Sequence, residues 1–126
     1  MTHWIEKAVV LAIHEEQLSE HGGPPGIRSE GLLESALARP VNLASYGNPD
    51  LFDLAASYAF GNAQDHPFLD GNKRVSLVTA ELFLDLNGYS LDASDGDCLT
   101  QWLALSSNAL TEGEMAEWLR NHCEPH

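Results

Sequence analysis

Positively charged residues are scarce in this sequence. Its 126 residues include 6 Lys and Arg against 19 Asp and Glu, which gives a formal net charge of -13. Nucleic acids are bound mainly through Lys and Arg, and anionic membrane surfaces attract the same side chains. We therefore expect neither a nucleic acid nor a membrane as a direct partner of this protein.

Cysteine and long apolar runs are also scarce. The 2 cysteines, Cys98 and Cys123, are too few for the disulfide framework of a small secreted domain. The apolar run at residues 8–13 is short, follows no basic segment and is soon followed by glutamates, so it indicates neither a signal peptide nor a membrane span. We expect a cytoplasmic protein with reduced thiols.

Gly and Pro clusters separate stretches of helical period, and no repeat or linker interrupts the chain. The length suits one domain over residues 1–126, and a 44% hydrophobic composition is ordinary for a globular core. The sequence therefore predicts an all-α fold, a single compact bundle of about six helices.

Three helices are predicted in the first half of the chain. The first covers residues 4–20, where apolar residues follow the spacing of one helix face. The second covers residues 29–38 and is ended by Pro40. Asn48 and Pro49 predict the N-cap and the first residue of the third helix.

The second half begins with the most apolar helix. Residues 71–86 are apolar almost all round, which predicts a buried central helix that starts after the loop at residues 66–74. Two shorter helices follow, and Thr111 and Glu114 predict a capping box at the start of the last one. Residues 89–91 are the only strand candidate.

Several histidines have ordinary explanations. His14 stands beside Glu15 and Glu16, which indicates a solvated helix face. His122 and His126, with a cysteine between them, have a spacing that could hold a metal ion, but they lie at a terminus. We expect an unstructured tail there rather than a metal site.

Residues 66–74, with the sequence HPFLDGNKR, combine a carboxylate, an amide and two adjacent cations where a helix is predicted to begin. The first N–H groups of a helix lack internal partners, and the helix dipole adds partial positive charge at that end. A glycine there lets a ligand approach the backbone closely. The pattern predicts a phosphate-binding site made by Gly71, Asn72, Lys73 and Arg74.

Three other residues of this segment have roles in the same hypothesis. Asp70 is predicted to hold Mg²⁺ beside the phosphates. Because histidine exchanges protons near neutral pH, His66 is the predicted general base for a hydroxyl nucleophile. Phe68 is expected to turn inward and to anchor the loop.

The same residues also have purely structural explanations. Asp70 is a suitable helix N-cap, and Asp70 and Arg74 are spaced for a surface ion pair. His66 fits a loop histidine that is bonded to a carbonyl group. Spacing alone leaves both interpretations open.

The segment resembles the signature of the Fic/Doc family, H-P-F-x-[D/E]-G-N-[G/K]-R, without interruption. Residues 22–28, 31–40 and 83–89 are similar to the death-on-curing toxins of this family. The resemblance implies a Fic/Doc-like helical fold in which the buried helix directly follows the motif. By motif position, it implies that His66 is the base, that Asp70 binds Mg²⁺, and that the next four residues bind the phosphates of ATP.

Two departures from the wider Fic pattern concern the type of transfer. Lys73 stands where most Fic enzymes have glycine, and Leu77 stands where they have a second arginine. Both features mark the death-on-curing branch. The resemblance therefore implies a toxin that transfers a phosphoryl group from ATP to a Thr or Ser hydroxyl of a protein, with elongation factor Tu as a candidate target, and so blocks translation. AMP transfer, typical of most Fic enzymes, and a catalytically silent antitoxin-binding or regulatory module are the alternatives.

The resemblance also implies an inhibitor. The family's self-inhibiting helix carries [S/T]-x-x-x-E-[G/N], and neither Glu30 nor Glu112, each followed by glycine, has Ser or Thr four residues earlier. We therefore expect a Phd-like antitoxin whose C-terminal segment folds on a groove of the toxin. The net charge of -13 favours a basic surface on that partner or on the target.

Overall fold

Six α-helices account for most of the chain, and the computed structural model describes all 126 residues. In chain order the helices are α1 Lys7–His21, α2 Glu30–Tyr46, α3 Leu51–Asp65, α4 Asn72–Leu86, α5 Asp95–Ser106 and α6 Glu112–His122. Two short strands, β1 Tyr89–Leu91 and β2 Cys123–Pro125, form an antiparallel pair. The prediction of an all-α fold with six helices is confirmed. None of the helices combines the length and the apolar character needed to span a membrane.

Helices α3 and α4 occupy the middle of the bundle. Nine of the 15 residues of α3 and seven of the 15 residues of α4 are buried. Helix α3 packs against α2, α4 and α6. A Cβ added at Gly61 would lie 3.2 Å from the Cα atom of Ala36, so the backbones of α2 and α3 pack closely against each other at this point. The predicted buried helix is therefore present as α4, but it begins at Asn72, inside the segment 66–74 rather than after it. Helix α3 shares the centre of the bundle with it.

The prediction that Pro40 ends the second helix is wrong. Helix α2 continues to Tyr46, with Pro40 inside it and buried. A proline in a helix interior removes one hydrogen bond and costs about 3 kcal/mol. Leu33, Ala36 and Pro40 form the buried face of α2, which packs against α3. Burial of this face outweighs the cost of the proline.

The predicted start of the third helix at Asn48 and Pro49 is also wrong. The N-cap of α3 is Asp50, whose Oδ1 accepts a hydrogen bond from the N–H of Asp53 at 2.8 Å. In return, Oδ2 of Asp53 accepts from the N–H of Asp50 at 3.0 Å. This capping box satisfies two N–H groups at once, whereas a single Asn cap satisfies one, so the helix begins at Leu51.

Other boundaries agree with the sequence more closely. Helix α1 begins at Lys7, three residues after the predicted start, because Glu6 is its N-cap and is extended. Helix α4 ends at Leu86, as predicted. Thr111 and Glu114 form the predicted capping box of α6.

The prediction of an unstructured C-terminal tail is wrong. Strand β2 pairs with the predicted strand β1, with Cys123 opposite Leu91. The Nδ1 atom of His122 lies 2.7 Å from the carbonyl oxygen of Trp118, and Nε2 of His126 lies 3.1 Å from Oδ1 of Asp85. The free edge of β1 offers main-chain N–H and C=O groups, and the C-terminal residues pair with them.

Candidate active site

The motif forms the loop between α3 and α4, residues 66–71, and the first turn of α4. A left-handed residue stands at each end of the loop. His66 ends α3 with φ 49° and ψ 57°, and Gly71 precedes α4 with φ 82°. Left-handed backbone is easy for glycine and unfavourable for a residue that carries a Cβ. The loop is a tight connection, and its candidate base adopts a backbone conformation that neighbouring residues must stabilise.

Phe68 and Asn72 fix the middle of the loop to the core. The Phe68 residue is 1% exposed. Both polar atoms of the Asn72 side chain bind the main chain of Phe68: Oδ1 accepts from its N–H, and Nδ2 donates to its carbonyl oxygen, each at 3.0 Å. The Asn72 side chain is therefore committed to the loop, and its main-chain N–H is the group available to a phosphate.

His14 supports the loop from α1, and the prediction that it lies on a solvated face is wrong. It is 4% exposed, and its ring stacks on Phe68 with ring centroids 3.9 Å apart. Its Nε2 atom lies 3.0 Å from the carbonyl oxygen of Asp70. In the sequence, the adjacent Glu15 and Glu16 suggest a solvated helix face and so conceal that His14 is buried. Its spacing of four from Val10, on the buried face of α1, is the signal that locates it.

The segment between α1 and α2 runs along one side of the loop. The N–H groups of Arg28 and Ser29 donate to the carbonyl oxygen of Pro67 at 2.7 and 3.1 Å. The N–H of Leu69 donates to the carbonyl oxygen of Gly26 at 3.2 Å. The loop is thus held by the core, by α1 and by this segment.

The start of α4 presents N–H groups that the chain itself leaves unused. The helix has no side-chain N-cap, and the N–H of Val75 makes the first bond of its N-terminal turn, to the carbonyl oxygen of Gly71 at 3.0 Å. The N–H groups of Asn72, Lys73 and Arg74 therefore lack partners, as at any uncapped helix N-terminus. Such a group of amides is chemically suited to a phosphate.

Lys73 and Arg74 are the only Lys and Arg side chains without a partner in the chain, and both are exposed. The other four are engaged: Lys7 pairs with Glu30 and Glu34, Arg28 binds main-chain carbonyls, Arg39 pairs with Glu112, and Arg120 pairs with Asp50, Asp53 and Glu117. In a chain with a net charge of -13, free positive charge is therefore concentrated at the start of α4.

The Asp70 carboxylate lies beside these amides and has one oxygen free. Its Oδ1 accepts from the N–H of Gly71 at 2.8 Å, whereas Oδ2 makes no hydrogen bond. A Cβ added at Gly23 would lie 2.5 Å from Oδ2, so the segment between α1 and α2 passes close to this carboxylate. Asp70 neither caps α4 nor pairs with Arg74, so neither structural explanation of Asp70 applies.

The free oxygen of Asp70 fits a magnesium ligand. No group of three or more His, Cys, Asp or Glu side chains in the chain could hold a metal ion. Mg²⁺ at nucleotide sites is typically held by one or two carboxylates together with substrate phosphates. A single carboxylate beside phosphate-binding amides matches that requirement.

The His66 side chain is exposed and makes no hydrogen bond, so it is not a loop histidine bonded to a carbonyl. It lines a cleft of about 520 Å³ together with residues 69–74. Leu99 and Leu103 of α5 line the same cleft and are 59% and 45% exposed. Sequence reasoning missed both leucines, since only the packing of α5 places them beside the motif.

The two thiols are unsuited to act as nucleophiles. Both cysteines are free. Burial raises the pKa of Cys98, and burial together with the charge of Glu81 raises the pKa of Cys123 to about 11. A thiol with such a pKa is protonated at neutral pH. Neither cysteine lines the cleft, whose titratable and charged side chains are His66, Asp70, Lys73 and Arg74.

The sequence of this chain is similar to those of known proteins. A sequence model of the Fic/DOC family matches residues 4–84, a range that includes the whole motif. The chain is 38% identical over 80 residues to "Protein kinase doc" of Escherichia phage P1, a match that covers 63% of this chain and 64% of that protein. It is 36% identical over 96 residues to "Toxin Doc" of Mycolicibacterium smegmatis, covering 74% of this chain and 71% of that protein. The match to the phage protein thus spans less than two thirds of that protein's length. Because the family model covers more than half of the chain and includes its candidate site, this protein belongs to the Fic/DOC family.

Proposed function

We propose that this chain is a toxin that transfers the terminal phosphoryl group of ATP to a Thr or Ser hydroxyl of a protein. The observation that carries the proposal is the pair of unpartnered cations, Lys73 and Arg74, at the unpartnered amides of α4. In a strongly acidic chain, two free cations beside free N–H groups form a site for a polyanion. A triphosphate is the polyanion that makes use of a general base and a magnesium ligand in the same cleft.

Each residue of the cleft has a role in this reaction. The N–H groups of residues 72–74 bind phosphate oxygens, Lys73 contributes a point charge, and the planar guanidinium of Arg74 makes paired hydrogen bonds. Asp70 is the residue that would hold Mg²⁺ through its free Oδ2. When bound, the ion would neutralise charge on the phosphate oxygens.

His66 accepts the proton in the transfer step. The hydroxyl oxygen of the target bonds to the terminal phosphorus, the bond from that phosphorus to the bridging oxygen breaks, and ADP leaves. The hydroxyl proton passes to the imidazole, whose ring has no competing hydrogen bond. A positioned base of this kind contributes roughly 10²- to 10⁴-fold to the rate.

Phosphoryl transfer is preferred to AMP transfer because of two positions. Lys73 places an ammonium group at the start of α4, where most Fic enzymes have glycine. Leu77, at the position of their second arginine, packs against the core and does not line the cleft. Both differences change how a triphosphate is oriented, and the name "Protein kinase doc" of the phage relative supports the same choice.

Elongation factor Tu is the proposed target, and arrest of translation is the proposed effect. The similarity to death-on-curing toxins supports this target. The factor and ATP are both cytoplasmic, so the proposal places the chain in the cytoplasm.

Transfer of label from ATP tests the proposal. Purified chain is incubated with elongation factor Tu and Mg²⁺, with ATP labelled either at the terminal phosphorus or at the α-phosphorus. Label is expected on the target only from the terminal position. Label from the α-phosphorus would instead establish AMP transfer and overturn the proposed kinase activity.

A His66→Ala variant tests whether the chain acts as an enzyme at all. Since the His66 ring makes no hydrogen bond, the variant should fold like the parent and should lose both label transfer and toxicity on expression. His21→Ala, at the exposed end of α1, is the matched control and should stay active. Parent-level toxicity of His66→Ala would favour the catalytically silent module.

The proposed inhibitor is a Phd-like antitoxin whose C-terminal segment folds on the toxin. A groove of about 520 Å³ between α1, α4 and β1 has the chemistry for such a segment. Its apolar residues are Ile13, Val78, Leu82, Tyr89 and Leu91, and its acidic residues are Glu16, Glu81 and Asp85. An amphipathic segment with a basic face would complement both the apolar and the acidic residues.

A further inference from the structure

The backbone conformation of His66 requires support from its surroundings. His66 and Asn108 are the only non-glycine residues with positive φ. Asparagine tolerates the left-handed region because its short polar side chain can bond locally, whereas the His66 ring makes no hydrogen bond that would stabilise this conformation. An unfavourable conformation persists at a functional residue only when neighbouring groups stabilise it.

Arg28 supplies that support through two short hydrogen bonds. Its Nε donates to the carbonyl oxygen of His66 at 2.7 Å, and its Nη2 donates to the carbonyl oxygen of Asp65 at 2.6 Å. Both carbonyls belong to the C-terminal end of α3, where they lack partners within the helix. A planar guanidinium can bind two such acceptors at once, and its positive charge is favourable at a helix C-terminus.

The main chain of Arg28 is held against the same loop. Its N–H donates to the carbonyl oxygen of Pro67 at 2.7 Å, and the neighbouring residue Ile27 forms an isolated antiparallel bridge with Phe68. Both the backbone and the side chain of Arg28 therefore bind the loop. Although the chain has 19 acidic residues, Arg28 makes no ion pair, so its charge is directed at these carbonyls.

We propose that Arg28 is a positioning residue for the transfer reaction: it holds His66 in the left-handed conformation that places the imidazole in the cleft. The inference rests on the proposed function of His66 as the base. The phosphate-binding end of α4 is fixed separately, by Asn72 and Phe68. Loss of Arg28 should therefore displace the base and leave the nucleotide site intact.

Steady-state kinetics of the full chain separate these two effects. In Arg28→Ala we expect kcat to fall about 10²-fold, within the usual contribution of a general base, with KM for ATP within about threefold of the parent value. Arg28→Lys retains the positive charge but cannot bind both carbonyl oxygens as the guanidinium does. Its kcat should therefore lie between that of the parent and that of Arg28→Ala. Millimolar guanidinium should restore part of kcat in Arg28→Ala and none in His66→Ala. Arg39→Ala is the control: Arg39 pairs with Glu112 and does not line the cleft, so kcat should be unchanged.

A structural measurement keeps this test independent of the transfer activity. The HN–Hα coupling and Cα chemical shift of His66 report its φ angle by NMR in the parent and in the two Arg28 variants. His66 is expected to leave the left-handed region in Arg28→Ala, and Arg28→Lys serves if the alanine variant is unfolded. An unchanged His66 backbone, an unchanged kcat, or equal changes in kcat and KM would overturn the proposal. A parent chain that transfers no label would refute the proposed function, while the NMR result would still decide the role of Arg28.

Discussion

The imidazole of His14 lies nearly parallel to the phenyl ring of Phe68, with ring centroids 3.9 Å apart and planes inclined by 13°. The same imidazole contacts the carbonyl oxygen of Asp70 through Nε2 at 3.0 Å. A carbonyl only accepts, so Nε2 carries the proton. One buried side chain of α1 thus contacts the motif loop at two points and connects the first helix to the magnesium-binding candidate.

We expect separate effects from the two contacts of His14. His14→Phe retains an aromatic ring against Phe68 but leaves the Asp70 carbonyl without its partner, which should lower the free energy of unfolding by about 1 to 3 kcal/mol. His14→Ala also removes the buried, stacked ring and leaves a cavity, so it should cost roughly 3 kcal/mol more. Urea unfolding measures both. His21→Ala, in the exposed last turn of α1, is the control, and equal stability of His14→Phe and the parent would contradict the prediction.

Asn72 should matter more for stability than its place in the motif suggests. Asn72→Ala leaves a buried N–H and a buried carbonyl of Phe68 without partners, and each such group costs about 1 to 3 kcal/mol. Thermal or urea unfolding should therefore show a large loss of stability, together with loss of transfer activity. Asn121→Ala, an exposed asparagine on α6, should change stability little. A variant at Asn72 that loses activity with full stability would indicate a direct role in binding phosphate instead.

Local rules predict where the candidate site lies. The start of a helix near Gly71, the glycine itself and the adjacent cations are visible in nine consecutive residues, because helix ends depend on near neighbours. The same holds for the capping box at Thr111 and Glu114. These features involve residues a few positions apart, so sequence spacing is enough to locate them. The absence of a side-chain cap on α4 is visible only in the structure.

Long-range packing explains what the sequence could not predict. His14 contacts Asp70 across 56 positions, and Arg28 contacts His66 across 38 positions. Helix α2 continues through Pro40 because its buried face packs on α3. The local rule that proline ends a helix does not include the free energy of this packing. The C-terminal residues form β2 because the edge of β1 is free to pair. In each case the deciding partner lies in a distant element of the chain.

Ser76 of α4 is bonded to both α3 and α5 through buried hydrogen bonds. Its Oγ donates to the carbonyl oxygen of Ala59 at 2.6 Å and accepts from Nε1 of Trp102 at 2.8 Å. Ser76→Ala leaves the buried Nε1–H of Trp102 without a partner and removes a second hydrogen bond from the Ala59 carbonyl inside α3, so the free energy of unfolding should fall by about 1 to 3 kcal/mol. Denaturant unfolding followed by Trp fluorescence measures the change. Ser35→Ala, on the exposed face of α2, is the control; a loss below 0.5 kcal/mol at Ser76, on the order of a surface change, would refute the prediction.

The free cations at the start of α4 should determine nucleotide affinity. Hydrogen bonds to charged groups contribute about 1.5 to 3 kcal/mol, so Arg74→Ala should weaken ATP binding roughly 10- to 100-fold. Lys73→Ala should have a smaller effect, since lysine acts as a point charge. Calorimetry with ATP and Mg²⁺ measures both variants. Arg39→Ala removes a cation that is already paired with Glu112 and should bind ATP like the parent. Equal affinities of Arg74→Ala and Arg39→Ala would disprove this role.

The groove between α1, α4 and β1 should bind a basic partner segment less tightly at low pH. Partial burial, followed by the charges of Asp95 and Asp85, raises the pKa of Glu81 in the free protein. A cationic segment favours the ionised carboxylate, so affinity should be full at neutral pH and should fall as the pH is lowered through this raised pKa. The loss of affinity should begin above pH 4.5, the pKa of an unperturbed glutamate.

Calorimetric titration with a basic amphipathic peptide at several pH values measures this pH dependence. Glu81→Gln should bind more weakly at neutral pH and lose most of the dependence, whereas Glu6→Gln, outside the groove at the N-cap of α1, should keep it. Affinity that rises on acidification would show that the occupant of the groove is not basic.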